Sequence, residues 1–255
     1  MGRIAILGGT GPEGLGLSMR FAMTGEAVVI GSRQAQRAVE AAERAASQLR
    51  TVGCSATVSG ADNQAAVRGA DLVVITTPYA GVGELLPGLA AALAGMIVVE
   101  VVNPLIRVDK QFTIERVPEG SAAEAIQKRL PESLVVSAFK NESAEALNAL
   151  PQAVKGDVVV CSDHADARTR VMSLVERIPE YRAVNGGPLI NARSVEAITA
   201  LLLNINRRYH AVTSIRVLGL PDGQGPTGNR RREAGDGREA REGRRQSPER
   251  RSGSS

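Results

Sequence analysis

The sequence predicts an α/β fold in which a doubly wound parallel sheet carries helices on both faces. Short apolar runs alternate along the chain with longer stretches whose apolar residues recur at helical spacing. One such run, residues 72–75, reads Leu-Val-Val-Ile, which is typical of a strand buried on both faces of a parallel sheet. Repeated strand–helix units favour parallel pairing, because each helix returns the chain to the same edge of the sheet.

The first half of the chain is interpreted as successive strand–helix units. Pro12 suits a first helical turn, where its missing N–H costs nothing, while Pro78 and Pro104 end the strands that precede them. The predicted strands are Ile4–Leu7, Ala27–Ile30, Ala56–Ser59, Asp71–Thr76 and Met96–Val102. The predicted helices are Pro12–Met23, Gln36–Arg50 and Val82–Leu93, with a short connecting segment at Asn63–Arg68.

The second half continues the alternation and then changes character. Residues 106–120 are expected to be loop, and Ser121 with Glu124 fits a capping box that opens a helix ending at Arg129. After the break at residues 186–188, one long helix and a short terminal strand are expected. The predicted elements of this half are strands Leu134–Phe139, Asp157–Cys161 and Ser214–Leu220, and helices Ala165–Arg177 and Leu189–Tyr209.

The turn after the first strand carries a glycine pattern. Residues 9–14 read Gly-Thr-Gly-Pro-Glu-Gly, which fits G-x-G-x-x-G between a strand and a helix. Glycines let the backbone approach a pyrophosphate, whose charge then lies at the N-terminus of the helix. With a second strand at the expected distance, the pattern favours a Rossmann-type dinucleotide site over a plain tight turn.

The end of the second strand predicts which dinucleotide is bound. NAD enzymes usually carry Asp or Glu there, whereas this chain has Ser32 and Arg33, with Arg37 one helical turn further on. A hydroxyl and a guanidinium bind a 2′-phosphate that a carboxylate would repel. The sequence therefore predicts NADP, the alternative being that Arg33 and Arg37 form a solvated helix face.

Composition limits the remaining possibilities. With 255 residues, 43% of them hydrophobic but only 2% aromatic, the chain suffices for one core of aliphatic residues and a small annex. Cys54 and Cys161 predict no disulfide framework and fit a reducing, cytoplasmic setting. No metal-ligand spacing is found, and His164 and His210 are interpreted as surface or helix-end residues. No apolar run reaches the roughly 20 residues of a membrane helix, and no leader segment is expected.

Three regions follow from these patterns. Residues 1–184 are predicted to form an NADP-binding domain and residues 185–220 a helical annex that provides the substrate or dimer element. Residues 221–255 are rich in Gly, Ser, Pro and Arg and carry net charge +3 of the chain's +4. Such a composition predicts a disordered tail. Its interspersed Glu and lack of aromatic residues argue against nucleic acid as a partner.

The ordered motifs together resemble the F420:NADP oxidoreductases, over about residues 1–220. The residues that carry the resemblance are Leu-Gly-Gly-Thr-Gly at 7–11, Gly-Ser-Arg at 31–33, Thr-Pro at 77–78, Asn-Pro-Leu at 103–105, Ser-Ala-Ala-Glu at 121–124, Val-Val-Ser-Ala at 135–138, Gly-Pro-Leu-x-Asn-x-Arg at 187–193 and Leu-Leu-Leu-Asn-Ile at 201–205. The resemblance implies a Rossmann domain with a small C-terminal helical domain, usually as a homodimer. It also implies hydride transfer between C4 of NADPH and C5 of the deazaflavin coenzyme F420, the redox partner.

The resemblance assigns roles to particular residues. Gly9 and the stretch Thr10, Gly11, Pro12 and Glu13 are expected at the pyrophosphate, and Ser32, Arg33 and Arg37 at the 2′-phosphate. Thr77, Tyr79, Gly83, Asn103 and Ala144 are expected on the nicotinamide side. The deazaflavin is expected near Asn103, Pro104 and the loop after Ala138, where Lys140 and Glu142 replace the His and apolar residue common in the family. Lys140 is expected to bond a ring carbonyl or the anionic coenzyme tail, the alternative being a solvated lysine.

Transfer of a hydride between two stacked rings needs no catalytic side chain at the reacting carbons, so none is predicted. An alcohol dehydrogenase would need a positioned acid or base, and none of the three tyrosines has a lysine four residues later. Two alternatives stay open at this stage: an NADP-dependent reductase of an imine such as pyrroline-5-carboxylate, and a non-catalytic NADP-sensing protein.

Overall fold

The computed structural model describes residues 2–220, which are organised around an eight-stranded sheet. A separate two-stranded hairpin accompanies it. The strands of the main sheet are β1 (Arg3–Leu7), β2 (Ala27–Ser32), β3 (Val58–Asp62), β4 (Leu72–Ile75), β5 (Ile97–Glu100), β8 (Leu134–Ser137), β9 (Gly156–Cys161) and β10 (Tyr181–Gly187). The hairpin consists of β6 (Leu105–Val108) and β7 (Gln111–Ile114).

The sheet is mostly parallel, as predicted. Its order is β10-β9-β8-β5-β4-β1-β2-β3, and the six strands from β8 to β3 run in one direction. Leu7 at the end of β1 pairs with both Gly31 and Ile75, so the carboxyl ends of three central strands meet at one edge. In open α/β sheets, ligands bind outside this edge. The outer pair departs from the prediction, because β9 meets β8 in an antiparallel bridge.

Helices cover both faces of the sheet. Alternate residues of each central strand enter different cores: Ile4 and Ile6 pack with α1, α2 and α8, whereas Ala5 and Leu7 pack with the shorter helices. Because successive side chains of a strand point to opposite faces, a sheet covered by helices on both faces buries both sets, as the doubly wound fold predicts. The helices are α1 (Pro12–Met23), α2 (Ala35–Thr51), α3 (Asn63–Val67), α4 (Tyr79–Leu85), α5 (Ala90–Leu93), α6 (Ala122–Arg129), α7 (Ala144–Asn148), α8 (Ala165–Val175) and α9 (Ala192–Tyr209).

Two predicted segments fold differently from expectation. The single helix predicted at Val82–Leu93 is divided into α4 and α5 at Pro87, which has no N–H to donate to the carbonyl four residues earlier. The predicted loop 106–120 contains the β6–β7 hairpin, whose turn residues Asp109 and Lys110 have φ of 47° and 65°. Neither turn residue is glycine, so the usual sequence signal for such a turn is missing.

The C-terminal part of the described chain was predicted only in outline. Residues 185–187 belong to β10, a strand the sequence reading missed, and the long helix begins with a 3₁₀ turn at Leu189–Asn191 before α9. No strand forms at 214–220, although the backbone there bonds to Asp157. The predicted disordered tail, residues 221–255, lies outside the described residues.

Several smaller expectations can be compared with the structure. Cys54 and Cys161 are free thiols, and His164 and His210 lie at helix ends, as predicted. Ser121 caps α6 by accepting a hydrogen bond from the Glu124 N–H, which confirms half of the expected capping box. Within residues 2–220, no helix combines the length and apolar character needed to cross a membrane.

Candidate functional site

Two adjoining cavities lie beyond the carboxyl ends of the central strands. The first cavity, of about 530 Å³, runs from the glycine turn after β1 to the end of β2. The second cavity, of about 460 Å³, lies between the loops after β5 and β8 and the helix α9. The two cavities share four of their lining residues, Glu13, Thr76, Thr77 and Pro78. A ligand with two linked halves could therefore occupy one cavity and extend into the other.

The glycine turn shapes the first cavity by close backbone packing. A Cβ on Gly14 would lie 2.5 Å from the Cα of Gly9, and one on Gly9 would lie 2.8 Å from the carbonyl oxygen of Ile6. A Cβ on Gly11 would meet nothing nearer than 3.9 Å, so the backbone is open there. Gly11 also precedes α1, whose first turn has no side-chain cap. The turn therefore presents uncapped N–H groups toward the cavity, as a pyrophosphate requires.

The far end of the first cavity is cationic. Ser32 is 9% exposed, and its hydroxyl accepts a hydrogen bond from the Gln34 N–H at 3.2 Å, which leaves the hydroxyl hydrogen free to donate. Arg33 reaches Glu84 on α4 at 3.4 Å, but both side chains are highly exposed, at 84% and 76%. Such surface ion pairs contribute at most about 1 kcal/mol, so a phosphate could displace Glu84. Arg37 lines the same end.

Asn63 is a site residue that sequence reasoning did not single out. It is the first residue of α3, immediately after β3, and it lines the first cavity. Its Oδ1 is buried without a hydrogen-bond partner among residues 2–220, although a buried amide oxygen normally has one. The available signal was its position directly after a strand, but the predicted strand Ala56–Ser59 ends three residues before β3 does. The unpaired oxygen is suited to accept a hydrogen bond from a ligand hydroxyl.

Glu13 stands at the junction of the two cavities. It lies in the first turn of α1, and its Oε1 is buried with no hydrogen-bond partner in the part of the chain that the structure describes. Burial, together with repulsion from Glu142, raises its pKa from 4.5 to about 8. At neutral pH the carboxyl is therefore mostly protonated, so it does not repel an anionic ligand at the same helix N-terminus.

The second cavity is lined on one side by a polar network that holds α9 against the sheet. Asn103 donates from Nδ2 to the carbonyl oxygen of Lys140 at 2.9 Å, and the Thr199 hydroxyl lies within 2.9 Å of that same oxygen. Asn141 donates to the carbonyl of Val195 and to the Thr199 hydroxyl, both at 2.9 Å. The network fixes the loops after β5 and β8 relative to α9, and thereby the width of the cavity.

The side chain of Lys140 does not reach a ligand as expected. Its ammonium is fully buried, 2.8 Å from Glu100 and 3.0 Å from Glu196, and it also donates to the carbonyl of Val102. All three ammonium hydrogens therefore have partners within the protein. Glu196 also accepts from the N–H groups of Ala122 and Ala123 at the start of α6. Neither the ring-binding lysine nor the solvated lysine of the sequence analysis is found, because the ammonium is a buried structural group.

Glu142 also lines the second cavity, close enough to Glu13 for its charge to act on that carboxyl. Its Oε2 accepts a hydrogen bond from the Tyr181 hydroxyl at 2.5 Å, and the ring of Tyr181 lies 6.3 Å from that of Phe139. Burial and the nearby Asp157 raise the pKa of Glu142 to about 7, although the tyrosine hydrogen bond opposes this. Two carboxyls of raised pKa, Glu13 and Glu142, therefore line one cavity.

Known proteins of the same sequence pattern identify the family. A family model described as NADP oxidoreductase coenzyme F420-dependent matches residues 3–104. The F420-dependent NADP reductase of Methanocaldococcus jannaschii is 38% identical over 221 residues, which cover 86% of this chain and 99% of that protein. This chain belongs to the family of F420-dependent NADP reductases.

Two further comparisons agree with this assignment. The F420-dependent NADP reductase of Methanothermobacter thermautotrophicus is 38% identical over 226 residues, covering 86% of this chain and 96% of that protein. A crystal structure from Arthrobacter sp. FB24, provisionally assigned to the same reductases, superimposes with a TM-score of 0.72 at 25% identity. The superposition covers 86% of this chain and 100% of that chain. The shared fold therefore includes α9 as well as the nucleotide-binding half.

The structure places most, but not all, of the residues expected from the resemblance at the two cavities. The first cavity is lined by Thr10, Gly11, Pro12, Glu13, Ser32, Arg33, Arg37 and Thr77, and the second by Glu13, Thr77, Asn103, Lys140 and Ala144. Gly9, Gly83 and Pro104 line neither cavity; Gly9 packs closely against Ile6 and donates its N–H to the carbonyl of Gly31. Tyr79 packs instead against the core on the side of α6, where the charges of Arg129 and Glu119 act on it.

Proposed function

We propose that this chain catalyses hydride transfer between NADPH and coenzyme F420. The observation that carries the proposal is the pair of adjoining cavities, which share Glu13 and Thr77 at one edge of the sheet. Two ligands that exchange a hydride must bring their reacting atoms within about 3–3.5 Å of each other. Cavities that meet at a common wall allow this contact, and family membership supports both ligands.

NADP fits the first cavity by the chemistry of its lining. The uncapped first turn of α1 would hold the pyrophosphate, and Ser32, Arg33 and Arg37 would hold the 2′-phosphate. The unpaired Oδ1 of Asn63 would accept from a ribose hydroxyl. The nicotinamide half would then pass Glu13 and Thr77 into the second cavity.

The second cavity offers the deazaflavin a partly apolar surface. Leu202 and Leu203 of α9 and Val102 after β5 line it, together with the polar network around Asn103. When both coenzymes are bound, they supply the chemistry themselves, with a hydride passing from C4 of the nicotinamide to C5 of the deazaflavin. The chain contributes orientation and exclusion of water, and no side chain attacks a reacting carbon.

Isotope transfer tests the proposal. With NADPH deuterated at C4 on the transferred face, we expect the label to appear on C5 of the reduced deazaflavin, measured by mass spectrometry, without loss to solvent. Loss of the label to water would argue against direct transfer. Oxidation of NADPH by a cyclic imine and not by F420 would favour an imine reductase, and binding without oxidation by either acceptor would favour an NADP sensor.

We also propose that the chain acts in the cytoplasm as a homodimer, with residues 1–184 as the nucleotide domain and 185–220 as the dimer and deazaflavin element. Several apolar side chains of the second segment are strongly exposed, among them Ile190 at 50%, Leu201 at 57% and Leu218 at 85%. We expect these side chains to lie in the dimer contact, since removal of apolar surface from water favours association. Light scattering during gel filtration gives the mass, and a monomer would contradict the proposal.

A further inference from the structure

Two carboxyl groups at the junction of the cavities have no cationic partner. Neither Glu13 nor Glu142 takes part in any ion pair found among residues 2–220. Within the described part of the chain, Oε1 of Glu13 has no hydrogen-bond partner, and Oε2 of Glu142 accepts only from a neutral hydroxyl, that of Tyr181. Both residues line the second cavity, and Glu13 also lines the first. Buried carboxyls without a cation are costly in the ionised form, so this placement requires an explanation.

The surroundings of the pair favour retention of a proton. Loss of solvent opposes the ionisation of both carboxyls, and repulsion from Glu142 further opposes the ionisation of Glu13. From β9, Asp157 adds a further negative charge, although Arg182 binds it at 2.6 Å. From α1, Arg20 faces Tyr181, but its guanidinium is bonded to the carbonyls of Ala146, Leu147 and Gln152. Lys140 and Glu145 line the same cavity; the former is held by Glu100 and Glu196, and the latter is solvent-exposed.

We propose that Glu13 and Glu142 keep one exchangeable proton at the junction of the cavities, and that Glu13 releases it to solvent when a cationic ring, the oxidised nicotinamide, enters the second cavity. This inference rests on the function proposed above. A cation beside a carboxyl in a poorly solvated cavity favours the carboxylate by Coulomb attraction. The reduced nicotinamide ring is neutral and exerts no such attraction, so the pair keeps its proton in the NADPH complex.

The consequence for the reaction is a balance of charge inside the site. Oxidation of the nicotinamide creates a positive charge in a cavity of limited solvation. A Glu13 carboxylate beside that charge would offset it, whereas a Glu13 carboxyl that keeps its proton suits the neutral ring. Glu13 is therefore a residue that discriminates between the two redox states of the nucleotide, while the phosphate contacts of Ser32 and Arg33 are the same for both.

Proton release on nucleotide binding tests the inference without F420. The full-length protein in weak buffer at pH 7, with an indicator dye, is saturated with NADP⁺ or with NADPH, and the released protons are counted. Phosphate groups contribute equally in both titrations, so the difference isolates the ring. We expect NADP⁺ to release roughly 0.5 to 1 proton per site more than NADPH does.

Three variants identify the source of the proton. In Glu13→Gln the difference should vanish, and in Glu142→Gln the largest difference should move to lower pH, because the repulsion that raises the Glu13 pKa is removed. Glu145→Gln, an exposed carboxylate at the same cavity, is the matched control and should behave as wild type. Calorimetry gives the affinities, and thermal unfolding verifies that each variant is folded.

The proton-release experiment distinguishes failure of this inference from failure of the proposed function. Binding of both nucleotides with equal proton release in the wild-type protein would overturn the inference and leave the proposed function standing. An undiminished difference in Glu13→Gln would place the proton elsewhere and would also overturn it. If neither nucleotide bound, the proposed function would fail, and this inference with it.

Discussion

Arg33 is the side chain on which the choice of dinucleotide depends most directly. It is exposed at the mouth of the first cavity, and its only ion-pair partner among the described residues is Glu84, at 3.4 Å. Phosphate binding exchanges a weak surface ion pair for a charge-assisted contact. Most of the free energy of the new contact therefore contributes to binding. The same geometry means that a negative charge at this position would repel the 2′-phosphate directly.

Replacement of Arg33 by Asp should therefore weaken NADPH binding by at least about tenfold, in line with the 1.5–3 kcal/mol typical of hydrogen bonds to charged groups. NADH, which lacks the 2′-phosphate, should bind equally well or better. Fluorescence titration of the reduced nicotinamide measures both affinities. Glu84→Gln is the matched control, since it removes the competing carboxylate and should leave NADPH binding unchanged or tighter. An Arg33→Asp protein of wild-type NADPH affinity would place the phosphate site elsewhere.

Glu13 should also make the folded state sensitive to pH. Its pKa of about 8 in the fold lies above the 4.5 of an unperturbed carboxyl, so the folded state binds the extra proton between these values. Stability contributed by this group is therefore complete below pH 4.5 and is lost as the pH rises toward 8. Glu13→Gln removes this loss. The difference in free energy of unfolding between Glu13→Gln and wild type should therefore favour the variant by at least about 2 kcal/mol more at pH 8.5 than at pH 5.

Urea unfolding at the two pH values measures this gain. The control Glu145→Gln changes an exposed carboxylate and should show the same pH dependence as wild type. A Glu13→Gln protein whose advantage does not grow with pH would mean that the carboxyl is already ionised in the folded state.

The sequence predicted the position of residues that lie at the end of a strand or directly after one. Ser32 ends β2, Arg33 follows it and the glycines follow β1, so their placement at the first cavity required only the strand–turn–helix pattern. Lys140 could not be assigned in this way. Its partners Glu100 and Glu196 lie 40 and 56 positions away in the sequence, and no local pattern shows that these charges are buried together.

At the scale of elements, α9 is held on the molecule by polar contacts rather than by a broad apolar face. The ion pairs of Lys140 with Glu100 and Glu196, here called the Lys140 triad, are one such contact, and the network around Thr199 is another. In addition, Asn204 bonds to both the N–H and the carbonyl of Phe112 in the hairpin strand β7. Such contacts position a helix closely, since each has a narrow range of geometry. They also explain why the sequence predicted the helix but not what it packs against.

Breaking the triad should consequently destabilise the fold. Lys140→Met leaves Glu100 and Glu196 buried without their cation, and loss of one partner of a buried ion pair typically costs about 3–5 kcal/mol. Chemical denaturation measures the loss, and Lys155→Met, at an exposed lysine, is the control. Adding Glu100→Gln to Lys140→Met should recover part of the stability, because one unpaired charge is removed. No recovery would mean that the triad stabilises by packing alone.

At the scale of the whole molecule, the six parallel strands follow the β3-β2-β1-β4-β5-β8 order of a dinucleotide-binding sheet, and that order was predictable from repeated strand–helix units. Strand β9 was also predicted, at Asp157–Cys161, but its antiparallel contact with β8 was not. Strand β10 was missed, because it reads Tyr-Arg-Ala-Val-Asn-Gly-Gly and lacks a continuous apolar run. The second cavity depends on these late elements, since Tyr181 of β10 orients Glu142 and α9 closes the opposite side. The glycine turn and the cationic end of the first cavity were therefore predictable from the sequence, Asn63 was not, and the second cavity was predictable only by resemblance.

The separation of the two cavities gives the last prediction. Ala144, the first residue of α7, lines only the second cavity, and a Trp there adds bulk without removing a side-chain hydrogen bond. Ala144→Trp should reduce F420 turnover by at least about a hundredfold, since displacement of one ring disrupts the reacting geometry. NADPH binding, anchored in the first cavity by Ser32 and Arg33, should weaken by less than about tenfold. Ala165→Trp at the exposed start of α8 is the control, and turnover and affinity are measured by absorbance and calorimetry. Equal losses of NADPH affinity and turnover would show that the nucleotide depends on both cavities, and full activity would place the deazaflavin outside the second.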